Sequence, residues 1–152
     1  FSYNVNANYT LHQNREDLPG VNARDNTGFA PFDFRWQMFN TFSWSNGPVN
    51  ASLRWRHYPS LRNFARQANP NSGTEGTPTY DIVDLSGGYA FTRSLSRRFG
   101  VDNLLDKDPP INGFNPGVGG PGTANYAPGG IASGAAYSVL GRSYFAGLRM
   151  SF

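Results

Sequence analysis

The chain has 152 residues, 38% hydrophobic, 15% aromatic and only 15% charged, with a formal net charge of +3. Ordinary domains carry about 45–50% apolar and about 25% charged residues, so this balance suits a barrel whose strands wet one face and carry aromatics on the other. The charge is modest and there is no Lys/Arg-rich run, which gives no reason to expect a nucleic-acid partner. Cysteine is absent, which excludes disulfide scaffolds, thiolate zinc sites and thiol catalysis. No stretch approaches the ~20 apolar residues of a transmembrane helix, a test that says little about β-barrels. The opening Phe1-Ser2-Tyr3-Asn4 lacks a start Met and a basic leader and lies inside a strand pattern, so a fragment of a longer protein is expected.

Residues 1–12 alternate without error: Phe1, Tyr3, Val5, Ala7, Tyr9 and Leu11 are apolar or aromatic, and every residue between them is polar. Strict period two over this length predicts a strand with one wet and one apolar face. At ~3.3 Å per residue and ~45° tilt, about ten residues cross an outer membrane. The pattern predicts further strands over 35–45, where Asn40 breaks the apolar face and Phe39 the wet one, and over 49–58, 80–91, 95–105 and 140–152. In 95–105, Arg97 shares a face with Leu95 and Phe99, and its nearness to the preceding turn places it beside an interface.

The connections 13–34, 46–48, 59–79, 92–94 and 106–139 run long, short, long, short, long. The short ones, Asn46-Gly47-Pro48 and Thr92-Arg93-Ser94, hold turn residues. Three long loops would be unexpected in a compact soluble domain, whereas an outer-membrane barrel pairs tight periplasmic turns with long outer loops. The last connection has eight Gly and five Pro in 34 residues and cannot form a core of its own. Within 59–79, Leu61, Phe64, Ala65 and Ala68 follow helical spacing and predict a helical turn or two.

Chemistry-bearing patterns are few. Gly117-Val118-Gly119-Gly120-Pro121-Gly122 has the letters of a dinucleotide fingerprint, but Pro121 and its surroundings forbid the helix that the mechanism needs. Asp102, Asp106 and Asp108 lack the Gly and distal Glu of a calcium loop and are expected to cap turns. His12 and His57 have no companion at ligand spacing, and the sequons at Asn8 and Asn50 fall inside strands. No catalytic constellation, metal set or cofactor motif is found. Arg54, Arg56, His57, Arg62 and Arg66 form a basic stretch. It could attract an anionic ligand or lipid phosphates, with Arg54 and Arg56 the candidates for ligand contact. The competing and favoured expectation is pairing with carboxylates on missing strands or on a plug, because interior charges are usually paired.

Three ordered segments then carry a resemblance. Gly100 to Pro110, GVDNLLDKDPP, is similar to a stretch near the end of TonB-dependent receptors, with Leu105 where that family more often has Phe. Tyr80–Phe91 looks like the strand before it. Leu140–Phe152, with its Gly-Arg opening and terminal Phe, looks like the family's last strand. The resemblance implies an all-β, antiparallel transmembrane barrel of 22 strands, of which this chain would supply the last six, with the plug domain absent. It implies import of a scarce nutrient (ferric siderophore, haem, cobalamin or carbohydrate) across the outer membrane of a Gram-negative bacterium, and no enzyme activity. The implied partners are outer-membrane lipid, the TonB complex through the missing N-terminal region, and the barrel-assembly machinery. That machinery would read the C-terminal strand through Tyr144, Leu148, Met150 and Phe152. The alternative is a porin-like channel or another outer-membrane barrel without TonB coupling.

Overall fold

The computed structural model describes residues 1–15, 20, 24–30, 34–63, 70–71, 76–110, 137 and 140–151. Six long strands form one sheet: β1 (Ser2–Tyr9), β5 (Trp36–Asn46), β6 (Val49–Tyr58), β9 (Tyr80–Ala90), β10 (Leu95–Asp102) and β11 (Ser143–Met150). They lie in the order β1-β5-β6-β9-β10-β11, and each neighbouring pair is antiparallel. The described residues are all-β, with no helix among them.

Register decides where each side chain goes. Directly opposed residues share a face, so Val5, Asn40, Trp55 and Val83 lie on one side, and Thr41, Arg54 and Asp84 on the other. Carried across the sheet, the first face collects Tyr3, Phe42, Leu53, Leu85, Phe99 and Tyr144, all exposed. The second collects serines, asparagines and the arginines at 54, 56, 98 and 149. A soluble domain would bury the apolar face; here nothing among the described residues covers it.

Turn chemistry sets the short connections. β5 and β6 join through the two-residue loop Gly47-Pro48, and Gly47 takes a φ of 54°, which suits the twist of a hairpin and costs a glycine nothing. Between β9 and β10, the Phe91 and Thr92 N–H groups donate to the Leu95 carbonyl.

The ladders are shorter than the alternation suggests. β1 stops at Tyr9 rather than residue 12, β10 stops at Asp102 because Asn103 turns left-handed (φ 53°), and β11 starts only after Gly141 (φ 64°). The long connections carry structure of their own. A two-residue hairpin pairs β2 (Asn14–Arg15) with β3 (Arg24–Asp25). β4 (Phe29–Ala30), β7 (Leu61–Asn63) and β8 (Gly76–Thr77) form a small sheet in which β4 and β7 run parallel. Leu61 is therefore in a strand and does not begin a helical turn: its N–H meets the Thr77 hydroxyl, and β7 ladders with two neighbours. Residues 64–69, the rest of that expected turn, lie outside the described residues.

Among the described residues, β1 and β11 each leave one edge unpaired, and the apolar face is bare. The 152-residue chain alone, refolded without detergent, is expected to aggregate through these surfaces. Size-exclusion chromatography with thermal melting checks this, and a monodisperse, cooperatively melting monomer would contradict it.

Candidate functional site

The polar face is built around one buried carboxylate. Asp84 sits mid-strand on β9 with its side chain 7% exposed. It accepts hydrogen bonds from Arg54 Nε at 3.0 Å, Arg56 Nη2 at 2.9 Å and the Asn103 backbone N–H at 3.0 Å. Two guanidiniums and an amide compensate a charge whose burial alone would be costly. Arg56 is largely enclosed, and its Nε has no partner among the described residues. Arg54 is half exposed and engages Asp84 only through Nε, which leaves the rest of its fork facing the open side of the face.

The Asn103 link joins this network to the chain segment after β10. The left-handed Asn103 receives the Lys107 N–H on its side-chain oxygen at 2.9 Å and donates its amide to the Lys107 carbonyl at 3.0 Å. Asparagine suits the position because it tolerates the left-handed region and its short amide spans a turn. The Leu104 N–H reaches back to the Val83 carbonyl. Asp106, also left-handed, accepts the Arg142 N–H at 2.8 Å just before β11. The Tyr80 hydroxyl donates to the Lys107 carbonyl. The motif-bearing segment is thus a clasp that holds β9, β10 and the start of β11 together.

Beyond the clasp, at the end of the long connections, the same face becomes aromatic. Phe34, Leu61, Tyr80, Ile82 and Tyr137 are buried together, with Tyr58 packed against them. Tyr137 meets Phe34 and Tyr80 edge-on at 5.8 and 5.2 Å between centroids. Its hydroxyl pairs with the Thr77 hydroxyl at 2.9 Å, and burial pushes its ionisation up. All three long connections therefore meet here: Phe34 ends the first, Leu61 and Thr77 belong to the second, and Tyr137 to the third. A second polar cluster lies in the first connection. The Thr27 hydroxyl, the Thr27 N–H and the Gln13 N–H all donate to Asp25, and hold its carboxyl well below the usual carboxylate range. Arg35 and His12 stand at its other oxygen.

The basic stretch read from the sequence is divided by this geometry. Arg54 and Arg56 come together on Asp84, so their carboxylate comes from the adjacent strand of this chain rather than from missing strands or a plug. His57 points to the opposite face and meets Asp81 at 2.7 Å. Arg62 lies 4.3 Å over the Phe29 ring, and Arg66 lies outside the described residues. Asp106 caps the approach to β11. Tyr144, Leu148 and Met150 line the apolar side of β11, whereas Phe152 lies outside the described residues.

The polar exceptions on the apolar face are compensated locally. Asn40 is 1% exposed and accepts the Tyr3 hydroxyl at 2.7 Å, although its Nδ2 finds no partner among the described residues. Asp81 takes the Trp55 indole N–H at 2.9 Å besides His57, and Trp36 stacks on that imidazole. Arg97 is the third residue of β10, opposite Tyr89 and Leu148, close to the short-turn end.

In an alignment 121 positions long that covers 68% of the chain, it is 31% identical to the ferric enterobactin receptor PirA of Pseudomonas aeruginosa. It resembles a receptor. It spans 14% of that protein's length. No family model and no solved structure matches it.

Neutralising Asp84 should leave Arg54 and Arg56 facing each other without a counter-charge. Asp84→Asn is expected to cost about 3 kcal/mol or more in denaturant unfolding, because breaking an enclosed pair strands the remaining charge. Adding Arg56→Leu should recover part of the loss, and purely additive costs would show that Asp84 and Arg56 do not act together.

Proposed function

We propose that this chain is the C-terminal part of the barrel of a TonB-dependent outer-membrane receptor that imports a ferric siderophore. The observation that carries the reading is the two-faced sheet. Its apolar face is continuous over six strands and open, while Asp84 and the arginines at 54, 56, 98 and 149 face the other way. Such a sheet is unstable in water and suited to a wall between hydrocarbon and a wet interior. Similarity to a receptor for ferric enterobactin supports both the receptor class and the ligand class.

On this reading the sheet closes with strands beyond this chain into a 22-stranded barrel in the outer membrane of a Gram-negative bacterium. Lipid meets the apolar face. The long connections stand outside the cell and the turns at Gly47 and Thr92 face the periplasm. Energy comes from the TonB complex through a plug domain outside these 152 residues. Ligand contact falls to Arg54, whose free guanidinium nitrogens face the interior below the aromatic lid, with Arg56 holding the shared carboxylate. An anionic iron chelate would be drawn to such a surface.

The test is uptake. The full-length gene, expressed in a strain stripped of its own siderophore receptors, is expected to restore growth on ferric catecholates, and deletion of tonB should abolish that growth. Growth that survives tonB deletion would indicate a porin-like channel instead.

The last strand also serves as an assembly signal on this reading. Tyr144, Leu148 and Met150 alternate on the apolar side of an unpaired edge, a form that β-augmentation can recognise, with Phe152 as the terminal anchor. Deleting Phe152 should slow insertion in a pulse-chase assay and leave the stability of folded barrel near normal. Unchanged kinetics with a lowered melting temperature would make Phe152 an interfacial aromatic only.

A further inference from the structure

Arg54 and Arg56 share a carboxylate, but the polar face carries two more arginines. Arg98 on β10 stands opposite Gly147, and Arg149 on β11 stands opposite Ser96. The two arginines are therefore diagonal neighbours on one face, with α-carbons about 7–8 Å apart. Among the described residues neither has a carboxylate within ion-pair distance. The lumenal positions around them are Asn50, Gly88, Ser96 and Gly147, none of which bears charge. Both side chains are exposed, and a charge without a partner becomes more costly as the space around it is closed off from water.

The surrounding surface is shaped as a receptacle. A depression of about 460 Å³ has Asn50, Gly88, Ser96, Arg98, Gly147 and Arg149 in its lining, beside Arg97 and Leu148 of the opposite face. Gly147 is part of that lining, and an added Cβ there would meet nothing within 4 Å, so the space above it is open. The Arg98 guanidinium lies 5.3 Å from the centre of the Phe145 ring, and Phe145 in turn lies across Gly100, which has no Cβ to obstruct it. Phe145 and Arg149 flank Gly147 on β11, so the ring draws the Arg98 guanidinium to the side of the glycine away from Arg149 and leaves the glycine between the two arginines.

We propose that Arg98 and Arg149 form an anion site over Gly147 that takes a carboxylate or a similar singly charged oxyanion. The inference rests on the reading of the polar face as the barrel interior. The site lies at the short-turn end of the sheet, away from the Asp84 network, and is separate from the ligand surface proposed at Arg54. The carboxylate comes either from a side chain of the polypeptide that fills the barrel or from a small soluble anion in the interior.

Thiol labelling of the full-length receptor, with any native cysteines replaced, separates the cases. Gly147→Cys is probed with a negatively charged sulfonatoethyl and a positively charged trimethylammonioethyl methanethiosulfonate, at low salt. An open site should react with the anionic reagent roughly tenfold or more faster than with the cationic one, a factor within the range of electrostatic focusing in a charged cleft. Arg98→Gln with Arg149→Gln should remove that preference, and Arg98→Lys with Arg149→Lys should retain it. A site filled by a polypeptide carboxylate should instead protect Gly147→Cys from both reagents, with the glutamine pair lifting the protection and the lysine pair keeping it. Heat-modifiable gel mobility verifies that each variant has folded. Labelling blind to reagent charge, or protection unaffected by either arginine, overturns the proposal. Leu148→Cys tests the underlying reading separately. It should stay silent if its face meets lipid, and if it labels while Gly147→Cys does not, the assignment of the two faces fails rather than the anion site alone.

Discussion

The pleat of an antiparallel sheet gives each side chain two directions, and the register between strands has to send the charges in one of them. Here five consecutive ladders keep that rule. A slip of β9 by one residue against β6 would turn Asp84 out beside Leu53 and Trp55 and leave Arg54 and Arg56 facing Val83 and Leu85. The Asp84 pairing and the alternation therefore specify the same register. Where the rule is broken, each breach has an answer nearby. Asn40 is covered and bonded by Tyr3, and Asp81 is held by Trp55 and His57 at the end of the strands. Arg97 lies near the opposite end, where a long side chain can reach an interface.

The same carboxylate links the wall to its connections. Asp84 accepts the Asn103 N–H, Asn103 closes a turn on Lys107, and Asp106 receives Arg142 at the approach to β11. The ends of the third long connection are thereby fixed to β9 and β10, whatever the residues between them do. This gives a physical account of why an Asn and an Asp recur three residues apart here. Both positions require left-handed backbone, which these two residue types tolerate best after glycine, and both side chains are used to hold a backbone N–H.

Much of this wall was legible in the sequence because a strand with one wet face prints its period directly. Residues 1–12 alternate perfectly, and the long and short connections alternate as a barrel requires. The strand ends were less legible. Leu11 continues the alternation of β1, yet the ladder stops at Tyr9, since pairing depends on what the neighbouring strand offers and not on the pattern alone. The small sheet of β4, β7 and β8 left no trace, because two- and three-residue strands have no period to read. Leu61 at helical spacing from Phe64 pointed to a helix, and backbone pairing with residues more than thirty positions away decided otherwise. The Arg54–Arg56 pair was visible as a basic stretch. Its partner was not, since Asp84 lies 30 and 28 residues away and only the β6–β9 register brings them together.

Along the strands the polar face changes character in a way that bears on anion traffic. At the long-connection end Tyr58, Tyr80 and Tyr137 form a packed aromatic layer with Phe34 and Leu61, to which all three long connections contribute, and the Lys107 ammonium lies over the Tyr80 ring. In the middle Arg54 and Arg56 are paired with Asp84, and Asp102 of β10 lies on the same face. At the short-turn end Arg98 and Arg149 have no described counter-charge at all. Positive charge without a described partner is thus concentrated at the short-turn end. An anion admitted past the layer would meet successive guanidiniums, each holding it only as strongly as its own pairing leaves free. Arg56, enclosed and committed to Asp84, can bind least, and the half-exposed Arg54 more. Arg98 and Arg149, which have no described partner, have the most to gain.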